Sequence, residues 1–282
     1  MAPSPRVLLS IDYEPWFALV RRFDRITDSR QRRDLDGGFS CSALSPILEQ
    51  LGDGKASFYL VGEIADWYPE LPAKIISAGH ELGLHCQIHR HLYDEKELAE
   101  DIRATAPWRA RYHIRGYRAP MVGISEAAYP LLEQNGFGYS SSIYAPSGTL
   151  LQKGNIWEIP VSTLKVFGGR DSYVAPRDYS LRLLANGEFP YGSSFSIGLL
   201  GGMILKIIEH ELKAGHSPVI FLHPYELVPP ADWPSRIARD LILNPLLLPF
   251  VRNKAGFLAE LLRSFPVSPL GTFLDEAVGP SI

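Results

Sequence analysis

What most constrains this 282-residue chain is an alternation that runs along nearly all of it. A short apolar run is followed by a segment whose apolar residues fall three and four apart, and then by another short run. Residues 7–11 (VLLSI) read as a strand. A charged loop over 21–36 follows, then a helix opened by Ser42, with Leu44, Ile47, Leu48 and Leu51 on one face and Gly52 as its stop. Residues 56–61 (ASFYLV) form the next strand, Pro69 opens a helix that ends at Gly79, and 81–84 form a third strand. The pattern continues as helix 94–106, strand 114–117, helix 125–134 stopped by Gly136, and strand 137–141. A looser middle holds 157–161 and 190–195. After it come helix 200–214 stopped by Gly215, strand 218–222 (PVIFL), helix 255–263 and an apolar segment around 266–270. Strand-then-helix units build parallel sheets, and about seven of them in one chain predict a barrel-like α/β domain. A doubly wound sheet is the alternative, although no G-x-G-x-x-G follows any of the strands.

Charge and composition narrow the function. With 28 Lys+Arg against 31 Asp+Glu the net charge is −3, so no basic footprint for nucleic acid is expected. Two cysteines, Cys41 and Cys86, cannot make a disulfide framework. The N-terminus MAPSPRVLLSIDYEP leaves no room for a signal peptide, which predicts a cytoplasmic address. The uncharged stretch 189–205 is broken by Pro190 and several glycines and reads as a loop followed by a buried helix. Residues 241–251 (LILNPLLLPFV) are too short and too proline-interrupted to span a bilayer. They are expected either to cover the core or to touch a membrane or lipid-linked partner.

The polar residues that close the strands carry the chemistry. Asp12 and Glu14 follow the first strand, His85 and His89 the third, Arg118 the fourth, and His223 the strand PVIFL. In a parallel barrel these positions share the C-terminal rim, where active sites are built. His85 and His89, four apart, make a two-ligand clip if the chain turns helically after the strand. A carboxylate added to them completes a facial triad for Zn, Fe, Mn, Co or Ni. Asp12 and Glu14, two apart, point to one face of a continuing strand, so that one can bind metal while the other acts as base. Arg118 is placed to pair bidentately with a carboxylate, and His223 is either a satisfied core histidine or a functional one. His80 reads as loop support, and His91, His113, His210 and His216 carry no assigned chemistry. No G-x-S-x-G elbow and no phosphate loop is present. Trp16 and Trp157 adjoin polar motifs and could line a sugar site.

Four ordered segments, SIDYEPW, HELGLHCQIHRHL, RGYRAPMVGIS and IFLHPYE, resemble the motifs of the polysaccharide deacetylase family, the carbohydrate esterases of family 4 with the NodB homology domain. The resemblance runs from Val7 to about Phe273. The first motif takes a D-x-E form, where adjacent aspartates are commoner. WEIPVSTL and FPYGSSFS resemble the branch associated with bacterial polysaccharide biosynthesis. The resemblance implies a single domain over 1–282 with a distorted (β/α)7 barrel and 241–282 as a C-terminal extension packing on it. It implies Asp12 as general base, Arg118 as its tether, His223 as general acid, and Glu14, His85 and His89 as ligands of a divalent metal, zinc foremost. It implies the Met121 N–H as oxyanion donor, while Trp16, Trp157 and Tyr191 are read from the residues alone as a hint of a sugar-binding surface. The family's usual aspartate orienting the acid histidine has no counterpart, since Ser140 stands in that neighbourhood; Glu158 or Glu226 is the substitute. The activity implied is hydrolysis of N-acetyl groups on an amino sugar of a glycan or glycolipid. The alternatives are a formamide or cyclic-ureide amidohydrolase on the same fold, and a glycan-binding protein without chemistry.

Overall fold

The computed structural model describes residues 3–90, 92, 94–167 and 173–279. Seven parallel strands form its frame: Val7–Tyr13 (β1), Ser57–Val61 (β2), Glu81–Cys86 (β3), Gly116–Tyr117 (β4), Tyr139–Ser140 (β5), Ile156–Glu158 (β6) and Val219–Leu222 (β7). They lie in the order β7-β1-β2-β3-β4-β5-β6. Val267–Ser268 adds beside β1, and Leu151–Lys153 runs antiparallel on the edge of β6. β1 and β2 are buried along their whole length, as strands covered on both faces must be, which is why they read as unbroken apolar runs.

The curl is a distorted barrel. Its ladder starts at β7 and stops beyond β6, and a second sheet of Tyr144–Pro146, Val161–Lys165 and Glu188–Phe189 lies beside the open side. The Val219 N–H donates to Ser162 Oγ (2.8 Å) and the Phe221 N–H to the Gly192 carbonyl (3.1 Å), which ties β7 to that sheet. Side-chain alternation then decides what points inward. On β1, Val7, Leu9, Ile11 and Tyr13 join the large core against the helices. Leu8 packs with Tyr59, Tyr139, Val219 and Phe221 in a smaller core within the curl. Ser10 and Asp12 share the Leu8 face, and His223 shares that of Val219 and Phe221. The same alternation puts His85 on the face of Gly83, and Arg118 on that of Gly116. A Cβ at Gly83 would sit 2.6 Å from the Tyr59 ring, and one at Gly116 2.4 Å from the Tyr139 hydroxyl. The two glycines therefore let these rings fill the barrel below the site.

Two local expectations change. The charged stretch read as a loop over 21–36 contains a helix, Ser29–Asp36 (α1), capped by Asp28, whose carboxylate accepts the Gln31 N–H (2.8 Å). Its Arg32 is buried and grips Glu63 through two 2.6 Å bonds, so part of its charge faces inward. The helix expected over 94–106 runs as Glu95–Tyr112 (α2), straight past Pro107. Arg109 spans the break, donating to Thr105 Oγ1 (2.9 Å) and to the Ile102 carbonyl (3.3 Å). The 189–205 stretch holds a helix, Ser194–Leu200 (α3), and the start of another, Gly202–Lys213. Among the described residues no helix is long and apolar enough to cross a membrane. Beyond them come Trp233–Leu243 (α4), a turn at Pro245–Leu247, and Leu248–Val251 (α5), which packs against α3.

Candidate active site

The rim brings six of the expected side chains together. β1 ends at Tyr13, and the Glu14 N–H bonds back to the Asp12 carbonyl (3.0 Å), a tight turn that sends the two carboxylates to different partners. Glu14 Oε2 lies 2.8 Å from His89 Nε2 and 3.7 Å from His85 Nε2. One donor atom from each of the three residues falls within 4.8 Å of the others. After β3 the chain bends rather than forming a helix, and the two imidazoles stand 5.2 Å apart. Asp101 on α2 fixes that bend by accepting the Gln87 N–H (2.7 Å), with the Ile88 N–H at 3.4 Å from its other oxygen.

The donor set fits a cation. His85 Nδ1 is 2.8 Å from the Arg118 carbonyl, so that nitrogen carries the proton and Nε2 is left with a lone pair turned toward Glu14. Glu14 Oε2 is buried and makes no well-directed hydrogen bond, while Oε1 accepts from the Tyr225 hydroxyl (2.7 Å). Burial alone would raise the Glu14 carboxyl; the imidazoles of His89, His223 and His85 outweigh it and hold the group well below the usual carboxylate range. Two imidazole nitrogens and a buried anionic oxygen aimed at one point form a donor set of the kind that could hold a divalent cation.

Asp12 is held from the other side. Its Oδ1 accepts from Arg118 Nη1 (2.9 Å), and the same nitrogen donates to Ser10 Oγ (2.7 Å). The expected bidentate grip is absent, because Arg118 spends Nε and Nη2 on the carbonyl (2.9 Å) and hydroxyl (2.6 Å) of Ser141. The guanidinium is wholly buried and lies 4.5 Å from the centroid of the Tyr59 ring. Burial would lower its pKa, but Asp12 and the nearby tyrosines raise it above the ordinary value.

His223 closes the ring of groups. Its Nε2 is 3.7 Å from Glu14 Oε1, its Nδ1 is 3.2 Å from Glu226 Oε1, and its own N–H donates to Glu226 Oε2 (2.9 Å). Glu226 is wholly buried, with Lys254 Nζ at 2.5 Å and the Ser194 hydroxyl also bonded to it. Burial would lower the His223 imidazole, yet Glu226 and Glu14 raise it above its ordinary value. Tyr225 stacks on the imidazole at 5.0 Å with planes 7° apart. Of the two carboxylates considered for orienting His223, it is Glu226 that faces it. Glu158 is bonded to the Ser142 N–H (2.6 Å), the Ile143 N–H (3.3 Å) and the Tyr129 hydroxyl (3.1 Å).

The residues expected at the substrate fare less evenly. Trp16 is 1% exposed, packed edge-on against Phe17 and Phe23, and Tyr191 is fully buried and bonded to Ser147. Neither offers a sugar a face, because both fill the core. Trp157 is half-buried on β6 opposite Tyr139. Met121 is 46% exposed on the loop after Arg118, and it and Val122 take left-handed backbone (φ 60° and 54°), strain of the kind that clusters at functional loops. Sequence reading assigned no role to Ser10, Ser141, Tyr225 or Lys254. Tyr225 stands inside the IFLHPYE motif, and Ser10 was legible as the inward neighbour of Asp12 two residues on. His91, within the second motif, lies outside the described residues.

Comparison places the fold. No protein-family model matches the chain, and no curated protein does. Solved structures do. A Mycobacterium smegmatis protein described as a polysaccharide deacetylase superposes with a TM-score of 0.54 at 19% identity, over 95% of this chain and 96% of that one. The PuuE allantoinase superposes with a TM-score of 0.57 at 14% identity, over 96% and 89%. The chain thus has the distorted α/β barrel of the polysaccharide deacetylases, the family whose motifs its sequence resembles.

Proposed function

We propose that this chain is a metal-dependent amide hydrolase that removes N-acetyl groups from an amino sugar in a glycan. The observation that carries the reading is the convergence, at one mouth of the barrel, of the Glu14–His85–His89 donor set, the Asp12–Arg118 pair and the His223–Glu226 pair. A divalent cation held by Glu14, His85 and His89, with zinc as the ion proposed, would supply Lewis-acid polarisation of the amide carbonyl and acidify water. The chain's own groups do the rest. Asp12, oriented through Oδ1 by Arg118, accepts a proton from the attacking water, whose hydroxyl ends on the acetyl carbon. His223 donates its proton to the sugar nitrogen as the C–N bond breaks, and acetate and a free amine leave. Glu226 keeps the imidazole in register for that transfer, and the Met121 N–H is the proposed oxyanion donor.

A second reading, hydrolysis of a cyclic ureide or a formamide, draws on the same barrel, which an allantoinase also has. The motifs favour the acetyl substrate. The test is product analysis with the metal-loaded protein on a short acetylated amino-sugar oligosaccharide, on a formamide and on a cyclic ureide. Release of acetate supports the proposal; formate or a ureido acid alone moves the activity to the second reading. A fully metal-loaded protein that binds glycan and hydrolyses none of the three is a binding module.

A further inference from the structure

The end of α4, the turn after it and the start of α5 form an apolar crest that none of the described residues covers. Ile242 is 80% exposed, Leu243 71%, Leu246 68% and Leu248 48%. Leu199 at the end of α3 and Met203 just beyond it, also exposed, extend the patch where α5 packs against α3. Gly198 permits that packing, since a Cβ there would meet the Pro249 carbonyl oxygen at 1.9 Å. Contiguous exposed apolar surface of this kind marks an interaction site.

Charge identifies the occupant. Arg239 on α4 and Arg252 directly after α5 are exposed beside the crest residues, Arg252 also donating to the Gly198 carbonyl (2.9 Å), and Lys206 is exposed one turn beyond Met203. Over 233–254 the sole acid is Asp240, whose carboxylate is engaged by Arg22 (3.1 Å). A second copy of the chain docking symmetrically would set these arginines against themselves. An anionic bilayer meets both features at once, with acyl chains for the leucines and headgroups for the arginines.

The crest is also continuous with the chemistry. Phe250 on α5 places its ring 6.1 Å from that of His223 and 5.6 Å from that of Phe195, and the Pro249 carbonyl accepts from Lys254, the lysine that engages Glu226. We infer that the crest docks the protein on an anionic membrane surface, and, resting on the function proposed above, that the substrate class is an acetylated amino sugar carried on a lipid anchor in that membrane.

The test is co-sedimentation of the full chain with vesicles of phosphatidylcholine alone and of phosphatidylcholine with phosphatidylglycerol. Wild type is expected to partition onto the anionic vesicles. Leu246→Glu and the pair Leu243→Glu/Arg239→Glu are each expected to lower that partition at least tenfold while keeping the wild-type circular dichroism and the wild-type rate on a soluble acetylated oligosaccharide. On the same sugar anchored by a lipid in anionic vesicles, Leu246→Glu is expected to lose at least tenfold in rate. Failure to sediment above background, equal binding to neutral vesicles, or equal binding by the variants overturns the docking surface. A solution dimer dissolved by Leu246→Glu overturns it in favour of a second copy. Docking with equal wild-type rates on free and anchored sugar overturns the substrate class alone. Absence of hydrolysis on either sugar, with vesicle binding intact, counts against the proposed function and not against the docking.

Discussion

Asp12 and Glu14 are separated by one residue and sit in different surroundings, and the proposed function gives them different roles for that reason. Glu14 faces neutral-capable imidazoles and has an oxygen without a hydrogen bond; Asp12 faces a buried arginine that already uses its other donors on Ser10 and Ser141. Asp12→Asn is therefore expected to retain metal, measured by elemental analysis, and to lose at least about 100-fold in kcat. Removing the carboxylate also leaves the Arg118 charge buried without its counterion, so urea unfolding should show a loss of about 3 kcal/mol. A metal-loaded Asp12→Asn protein with normal turnover refutes the base assignment. The two buried glutamates near the site separate in the same way. Glu226→Gln should cut kcat roughly tenfold or more with KM little changed, because it alone faces His223 Nδ1. Glu158→Gln should change stability and leave turnover near wild type, since its partners are Ser142, Ile143 and Tyr129. Sequence could name both glutamates but not choose between them, because the choice depends on which way the chain turns after β6. Lys254 carried no signal at all: it stands far from the motifs and reaches Glu226 only through tertiary folding. The inward-facing residues were more legible, since Leu8, Ser10 and Asp12 share a face by simple alternation. The two tryptophan candidates show the limit of adjacency. Trp16 sits beside the first motif in sequence and still turns into the core.

Elements carry these groups, and α2 carries its share through Asp101. That carboxyl is pushed up from 3.8 to about 6, chiefly by burial, against the two N–H groups of the His89 bend. A folded-state pKa raised above the unfolded one means that the native state holds the proton longer. The stability this confers is present in full below about pH 4 and is lost as the pH rises through about 6. The shift corresponds to at most about 3 kcal/mol. Unfolding free energies from urea titrations at pH 4 and 7 should therefore fall more in the wild type than in Asp101→Asn, by roughly 2 kcal/mol; equal pH slopes would falsify the claim that Asp101 titrates between them. The same helix runs past the end that its sequence predicts. Proline lacks the N–H and crowds the preceding turn, so sequence rules stop a helix before it. Here Arg109 reaches back across the break and Trp108 packs on the core, which outweighs the local cost. Pro107 itself is exposed, so Pro107→Ala should stabilise by about 1–2 kcal/mol, the helix gain less the extra freedom of the unfolded chain. Thermal unfolding should rise by a few degrees with activity unchanged. α1 was missed for the opposite reason, because its core-facing residue is a charged Arg32 whose partner, Glu63, follows β2.

At the scale of the whole molecule, the site gathers on the continuous side of the curl, away from the gap between β6 and β7 that the second sheet lies beside. Its groups arrive from the ends of β1, β3, β4 and β7, while the two hydrophobic clusters and the second sheet hold those strands without help from the rim. The fold should therefore survive loss of a metal. The rim itself is costly without one, because Glu14, His85 and His89 turn donor atoms toward each other in a nearly water-free space. A ligand that binds only the native state stabilises it in proportion to the logarithm of its excess over Kd, about 2.7 kcal/mol at a hundredfold excess. For a chain of this size that corresponds to a Tm shift of roughly 5 °C or more. Exhaustive chelation is accordingly expected to abolish hydrolysis and lower Tm by that amount while leaving the far-ultraviolet circular dichroism intact; re-addition of zinc should restore both. Glu14→Gln, which keeps the shape and weakens the donor, should show the chelated Tm with or without added zinc. If chelation moves neither Tm nor rate, Glu14, His85 and His89 do not hold an ion, and the six convergent side chains require a different chemistry.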